Sequence, residues 1–239
     1  MDKLHELFLK EWNTIISSAI NDSLEEPTKA KNNTSTISIG VGNPLKSPMK
    51  LSFGMERYTG ESVANVPHGK GKCVFKDKRI YEGEFANGKC SGKGKCTYPN
   101  SNVIEGEFSD NHPEGMGTER LADGAYYEGN FVKGRWSGMG KLILSDGTRW
   151  EGNWVQGVLH SADCTVTLPN KIVYKGNFKY LYDHNDTKHR TPGAAPPLQS
   201  LPSGKGLVLY PDNSRYQGEF RLGKRHGRGT SYDKEGNVV

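Results

Sequence analysis

Seven histidines, four cysteines and 27 acidic residues are the groups from which this 239-residue chain would have to assemble a catalytic or metal site. Their spacing assembles none. His68, His160 and His226 fall at one position of a repeating unit, so they lie far apart in space and share no metal. His184 and His189 stand beside Asp183 and Asp186, a set with metal-ligand chemistry, yet a polar loop accounts for the same residues. Cys73, Cys90, Cys96 and Cys164 lack C-x-x-C spacing. Cys73 and Cys96 are equivalent in adjacent units, which puts them about 9.5 Å apart across two strand spacings, beyond disulfide reach. They read as small, half-buried filler. Recurrent Gly-x-Gly pairs lack the Gly-Lys-Ser/Thr and helix of a phosphate loop. The expectation is therefore no enzyme, no cofactor and no metal.

What positions these residues is a repeat. An aromatic or aliphatic residue is followed two positions on by glycine, from Tyr58, Tyr81, Ile104, Tyr127, Trp150, Tyr174 and Tyr216, at intervals of 23, 23, 23, 23, 24 and 42 residues. In six of the seven, Phe or Trp follows two positions later. A Gly-x-Gly trails each start by eleven residues, at Gly69/Gly71, Gly92/Gly94, Gly115/Gly117, Gly138/Gly140 and Gly227/Gly229. In the fifth unit Ser161 and Asp163 occupy these places, and in the sixth the pair returns at Gly204/Gly206 after roughly nineteen extra residues.

Alternation makes these strands. In Tyr81-Glu82-Gly83-Glu84-Phe85 the rings and glycine share one face and the glutamates the other. Cys96 and Tyr98 share a face with Gly92 and Gly94, opposite Lys93 and Lys95. Ala86-Asn87-Gly88-Lys89 reads as a hairpin turn, and Pro99-Asn100-Ser101-Asn102 or Ser145-Asp146-Gly147-Thr148 as a turn between units. A lone hairpin is marginal in water, so neighbours must stabilise it. Glycines open a trough for neighbouring rings, and Glu82 and Glu84 are expected across from Lys93 and Lys95.

Tyr-x-Gly-x-Phe, an Asn/Lys-Gly turn and His-Gly-x-Gly, as at His68-Gly69-Lys70-Gly71 and His226-Gly227-Arg228-Gly229, closely resemble the MORN (membrane occupation and recognition nexus) repeat. Seven such units cover residues 58–239. The resemblance implies an all-β repeat fold, an elongated, twisted, single-layer antiparallel sheet of hairpins. It also implies roles in protein scaffolding, cytoskeletal and axonemal assemblies, and membrane apposition.

Outside the units, Leu4, Leu7, Phe8, Trp12, Ile15, Ile16, Ala19 and Ile20 recur at three- and four-residue steps, which predicts an N-terminal amphipathic α-helix within residues 1–24. Its polar face mixes charges, unlike the Lys/Arg-rich face of a membrane-surface helix. Packing on its own sheet, binding to a partner groove or helix, and membrane insertion are the three alternatives. Residues 25–57 read as a polar linker, within which Ile37, Ile39 and Val41 alternate as in a short edge strand, and about 184–203 as an insertion loop. Hydrophobic content is 33%, against roughly 45–50% apolar in ordinary domains, as a sheet with little interior requires.

The net charge of +5 is spread over interleaved Lys and Glu, and nucleic acid is not an expected partner. Arg221, Lys224, Arg225 and Arg228 form the one compact basic cluster, a candidate for an acidic partner or anionic lipid. Tyr81, Phe85, Tyr127, Phe131, Trp150 and Trp154 form a one-sided aromatic ladder, either covered by a partner or filled by packing against the glycines. With Leu4, Phe8, Trp12 and Ile15 they are the candidate partner contacts. The expected function is a scaffold or adaptor that binds a helix or extended peptide, cytoplasmic and associated with cytoskeleton or cilium. The alternative is a tether to anionic lipid. With no secretory signal and no apolar run near eighteen residues, the expected setting is reducing.

Overall fold

The computed structural model describes residues 49–52, 54–159, 164–180 and 200–239; the predicted helix of 1–24, most of the linker with its edge strand, and the 184–199 part of the insertion lie outside them. Fifteen strands follow one another: β1 (Met55–Val63), β2 (Val66–Phe75), β3 (Ile80–Ala86), β4 (Lys89–Thr97), β5 (Val103–Ser109), β6 (His112–Arg120), β7 (Tyr126–Val132), β8 (Arg135–Ile143), β9 (Arg149–Val155), β10 (Val158–Leu159), β11 (Cys164–Thr167), β12 (Val173–Tyr180), β13 (Ser200–Leu209), β14 (Arg215–Arg221) and β15 (Lys224–Tyr232). They form a single open antiparallel sheet in sequence order, with β10 beside β9.

Turn chemistry fixes the hairpins. Both central residues have positive φ at Asn87 (50°) and Gly88 (79°), as at Lys133 (48°) and Gly134 (76°), the geometry of a type I′ turn that matches strand twist. Turns between units close on an Asp or Asn side chain that accepts the N–H two residues on, as Asp146 does from Thr148 at 2.7 Å.

Register runs unbroken across the sheet. Tyr58, Cys73, Tyr81, Cys96, Ile104, Glu119, Tyr127, Leu142, Trp150, Val166, Tyr174, Val208, Tyr216 and Ser231 stand side by side in one row. Beside it runs a glycine row in which Gly83 faces Gly94 and Gly71. Within the β3–β4 hairpin, as in β1–β2, β5–β6, β7–β8, β12–β13 and β14–β15, the register then shifts near the first glycine of Gly-x-Gly, a bulge that sets Gly92 at φ 71°.

Two expectations change. The extra residue of the fifth unit falls ahead of β11, so Val166 faces Trp150 and Cys164 faces Gly176 in the row where Asp163 was expected. A one-residue slip exchanges faces, so the small thiol, not the acid, enters the glycine row. Glu82 does stand opposite Lys95, as expected, but Glu84 stands opposite Lys70 and Lys93 opposite Glu107. Ion pairs consequently bridge successive hairpins, Lys72 to Glu82 at 2.6 Å and Lys95 to Glu105 at 2.9 Å.

Candidate functional site

The two faces of the sheet differ in what they leave for a partner. On the aromatic face the tyrosine rings that open the units lie across the glycine row, and three of them donate a hydroxyl hydrogen bond to the carbonyl oxygen three residues on: Tyr81 to Glu84 at 3.0 Å, Tyr127 to Asn130 at 3.2 Å, Tyr174 to Asn177 at 2.9 Å. Phenylalanines meet these rings edge-on from both sides. Tyr81 lies 5.1 Å from Phe85 in its own unit and 4.8 Å from Phe108 in the next, and Tyr174 repeats this with Phe178 and Phe220. Such pairs add about 0.5–1.5 kcal/mol each beyond burial.

The six candidate rings are thereby used up. Tyr81, Phe85, Tyr127, Phe131, Trp150 and Trp154 are 0–3% exposed. The trough that the glycines open is filled by the chain's own rings, so these six offer a partner almost no surface. Leu4, Phe8, Trp12 and Ile15 lie outside the described residues.

One acid interrupts this face. Glu119, 3% exposed, occupies the row position that Cys73, Cys96 and Leu142 hold elsewhere. The Trp136 indole donates to it at 2.8 Å and the Asn102 amide at 3.3 Å. Burial pushes its carboxyl up to about 7, although both donors favour the anion. Trp136 in turn stacks on Tyr127 at 4.1 Å. The four thiols are buried. Loss of water pushes those of Cys73 and Cys96 up to about 11, so neither is a nucleophile near neutrality.

The polar face keeps its surface. Lysine and glutamate alternate there in the first units and give way to other residues further on. The residue between the two glycines is Lys70 and Lys93 in the first two units but Met116 and Met139 in the next two, opposite Asn130 and Asn153. Met116 is 63% and Met139 70% exposed. By strand alternation Val132 and Val155, also exposed, point to the same side. This window of apolar side chains without charge was not found from the aromatic pattern. Its signal is the repeated Gly-Met-Gly, visible once the polar positions are aligned unit by unit.

The basic cluster is divided between the faces. Arg225 faces Phe220 on the aromatic side, donates to the Tyr210 hydroxyl at 2.6 Å and lies 4.2 Å over the Tyr216 ring. Arg221, Lys224 and Arg228 stay exposed. Among the described residues no group of three or more His, Cys, Asp or Glu is placed to hold a metal ion, and no helix is long and apolar enough to cross a membrane.

The MORN repeat model matches residues 58–78, 81–103, 105–126, 127–149 and 216–238. The chain is a MORN-repeat protein. Those matches cover the first four units and the last, and pass over the fifth and sixth, where the slipped register and the insertion depart from the MORN pattern. No curated protein matches this MORN chain. Among solved structures it is similar to the TCP domain of SAS-4 (dCPAP) of Drosophila melanogaster in complex with a proline-rich motif of Ana2, at TM-score 0.45 and 12% identity, over 90% of this chain and 96% of that one. The TCP10c domain of Drosophila melanogaster Sas-4 gives TM-score 0.40 and 11% identity over 72% and 90%. The wild-type TCP10 domain of Danio rerio CPAP gives 0.29 and 14% over 72% and 82%.

Proposed function

We propose that this MORN protein is a non-enzymatic scaffold or adaptor that holds protein partners against the polar face of its sheet. The observation that carries the proposal is the pair of exposed methionines Met116 and Met139, with exposed Val132 and Val155 on the same side, at a place where the first two units carry lysine. Exposed apolar side chains grouped within a charged rim are the usual anatomy of a protein contact, and flexible methionines suit one that adapts to its partner. Placement in a cytoskeletal or ciliary and axonemal assembly of the cytoplasm rests on the roles that the MORN resemblance implies. The N-terminal segment 1–24 would serve this role as a second contact.

Affinity purification from native cells, with the wild-type chain beside Met116→Lys/Met139→Lys, tests the proposal. The paired variant is expected to keep its melting temperature and lose its partners. Retention of the same partners by the folded variant would move the contact elsewhere.

A second reading has its own observation. Leu222, 49% exposed, sits at the β14–β15 turn between Arg221 and Lys224, a basic and apolar tip of the kind that meets anionic lipid. Vesicles containing phosphatidylserine should retain the wild-type chain and release Leu222→Ser if the protein is a tether. Equal retention of both, or of neither, would remove that reading.

A further inference from the structure

On the polar face the charge alternation breaks down in the last two units. The position after the first residue of each unit is Glu82, Glu105, Glu128 and Glu151 in the second to fifth units, but Lys175 in the sixth and Gln217 in the seventh. Two further cations, Lys205 and Arg228, occupy the place between the two glycines. Earlier in the sheet Lys72, Lys95 and Lys141 each meet a glutamate. Among the described residues Lys175, Lys205 and Arg228 meet none within ion-pair distance, and Glu219 is the one acid near them.

These residues line a cavity. A trough of about 920 Å³ is bounded by Thr165, Lys175, Asn177, Lys205, Gln217 and Arg228, with Leu207 and Glu219 within it. Cys164, Gly176, Gly206 and Gly218 complete its wall, whereas the rings of Tyr174, Tyr216 and Phe220 are absent from it. The glycine row therefore presents bare backbone to the polar side.

We propose that this trough binds an acidic peptide segment in extended conformation. Lys175 on β12, Lys205 on β13 and Arg228 on β15 span three strand spacings, about 14 Å, the length of roughly four extended residues. Carboxylates spaced along such a segment match the three cations, of which Lys205 stands opposite Glu219 without meeting it at ion-pair distance. Asn177 and Gln217 offer the paired donor and acceptor that a peptide group needs. Glu219 can accept from a peptide N–H, a donor that a phosphate lacks. The recess also favours a chain that can enter it over a flat bilayer. This inference deepens the adaptor role and rests on that reading. Its residues and probe differ from those of the Met116/Met139 test, so either can fail alone.

Fluorescence anisotropy of the full chain with a labelled eight-residue oligoglutamate is the test, with oligoglutamine of the same length, pyrophosphate and phosphatidylserine vesicles in parallel. Oligoglutamate is expected to bind and oligoglutamine not to. Lys175→Ser/Lys205→Ser/Arg228→Ser should weaken binding at least about tenfold, the equivalent of about 1.4 kcal/mol, at unchanged melting temperature. Removal of three exposed cations elsewhere, Lys70→Ser/Lys93→Ser/Lys133→Ser, should leave it within twofold. Arg228→Ser alone repeats the test if the triple variant does not fold. No binding of oligoglutamate, equal loss in both triple variants, or binding of pyrophosphate or vesicles in its place would overturn the proposal.

Discussion

The Tyr81 hydroxyl crosses the paired Gly83 and Gly94 and donates to the Glu84 carbonyl oxygen at 3.0 Å. A single strand start thus ties down two strands at once, and Tyr127 and Tyr174 repeat the contact in their own units. A methyl group on Gly83 would lie 2.5 Å from the Gly94 Cα and 2.6 Å from both the Lys93 carbonyl oxygen and the Tyr81 hydroxyl. Two of these are backbone atoms. Gly83→Ala is therefore expected to cost about 3 kcal/mol by overpacking. Gly147→Ala, at φ 89° with nothing near its Cβ, should cost only about 1 kcal/mol of backbone strain. Urea unfolding midpoints compare them, and equal losses would show that the tyrosine bridge does not constrain Gly83.

Glu119 predicts a pH dependence with a definite sign. Its carboxyl stands at about 7 in the folded chain against an ordinary 4.5, so between these values the folded state holds a proton that the unfolded state has released. Stability from this group is full below about pH 4.5, falls as pH rises toward 7 and stays at its lower level above. The total is on the order of 3 kcal/mol. Glu119→Gln keeps an acceptor for Trp136 and removes the titration. It should be more stable than wild type at pH 8 and show a smaller change between pH 5 and pH 8 in urea melts. An unchanged pH profile would remove Glu119 as its source.

Four buried thiols, two of them pushed up to about 11, predict slow alkylation. Native protein treated with iodoacetamide at pH 8 should remain unmodified at Cys73, Cys90, Cys96 and Cys164 until denaturant opens the sheet. Intact mass before and after guanidinium measures this. Rapid labelling of the native chain would show that the aromatic face opens locally.

Much of the sheet was legible because two short periods coincide in it. Strand alternation separates rings from charges, and the 23-residue interval returns Tyr81, Ile104 and Tyr127 to one row. The fifth unit was misread at Asp163 because sequence counts residues but does not say on which side of β11 an extra one falls. The fate of the aromatic stripe was also undecided. A glycine leaves room for a ring, and only the register decides that Tyr81 itself occupies the room beside Gly83 and Gly94. The window at Met116 and Met139 escaped attention because its signal is a missing charge. Glu119 escaped because it is a single charged residue in a row that is otherwise almost all apolar.

Trp154 and Met139 divide stability from surface. Trp154 is 2% exposed and its indole donates to the Gly140 carbonyl oxygen at 3.1 Å, so Trp154→Ala should cost about 3–5 kcal/mol. Met139→Lys, on the opposite face of the neighbouring strand, should change stability by less than about 0.5 kcal/mol. Guanidinium unfolding of the pair decides whether the faces are as unequal as their burial. Similar losses would contradict that division.

Site-specific photo-crosslinking in native cells tests most directly whether the polar face is the working surface. A benzophenone side chain is placed in turn at Met116 and Met139, and at Val63 and Leu222 as exposed controls. The account predicts that positions 116 and 139 yield the same discrete protein adducts and that 63 and 222 yield none of them. Adducts from the controls alone, or none from 116 and 139 in a folded, expressed chain, would contradict it.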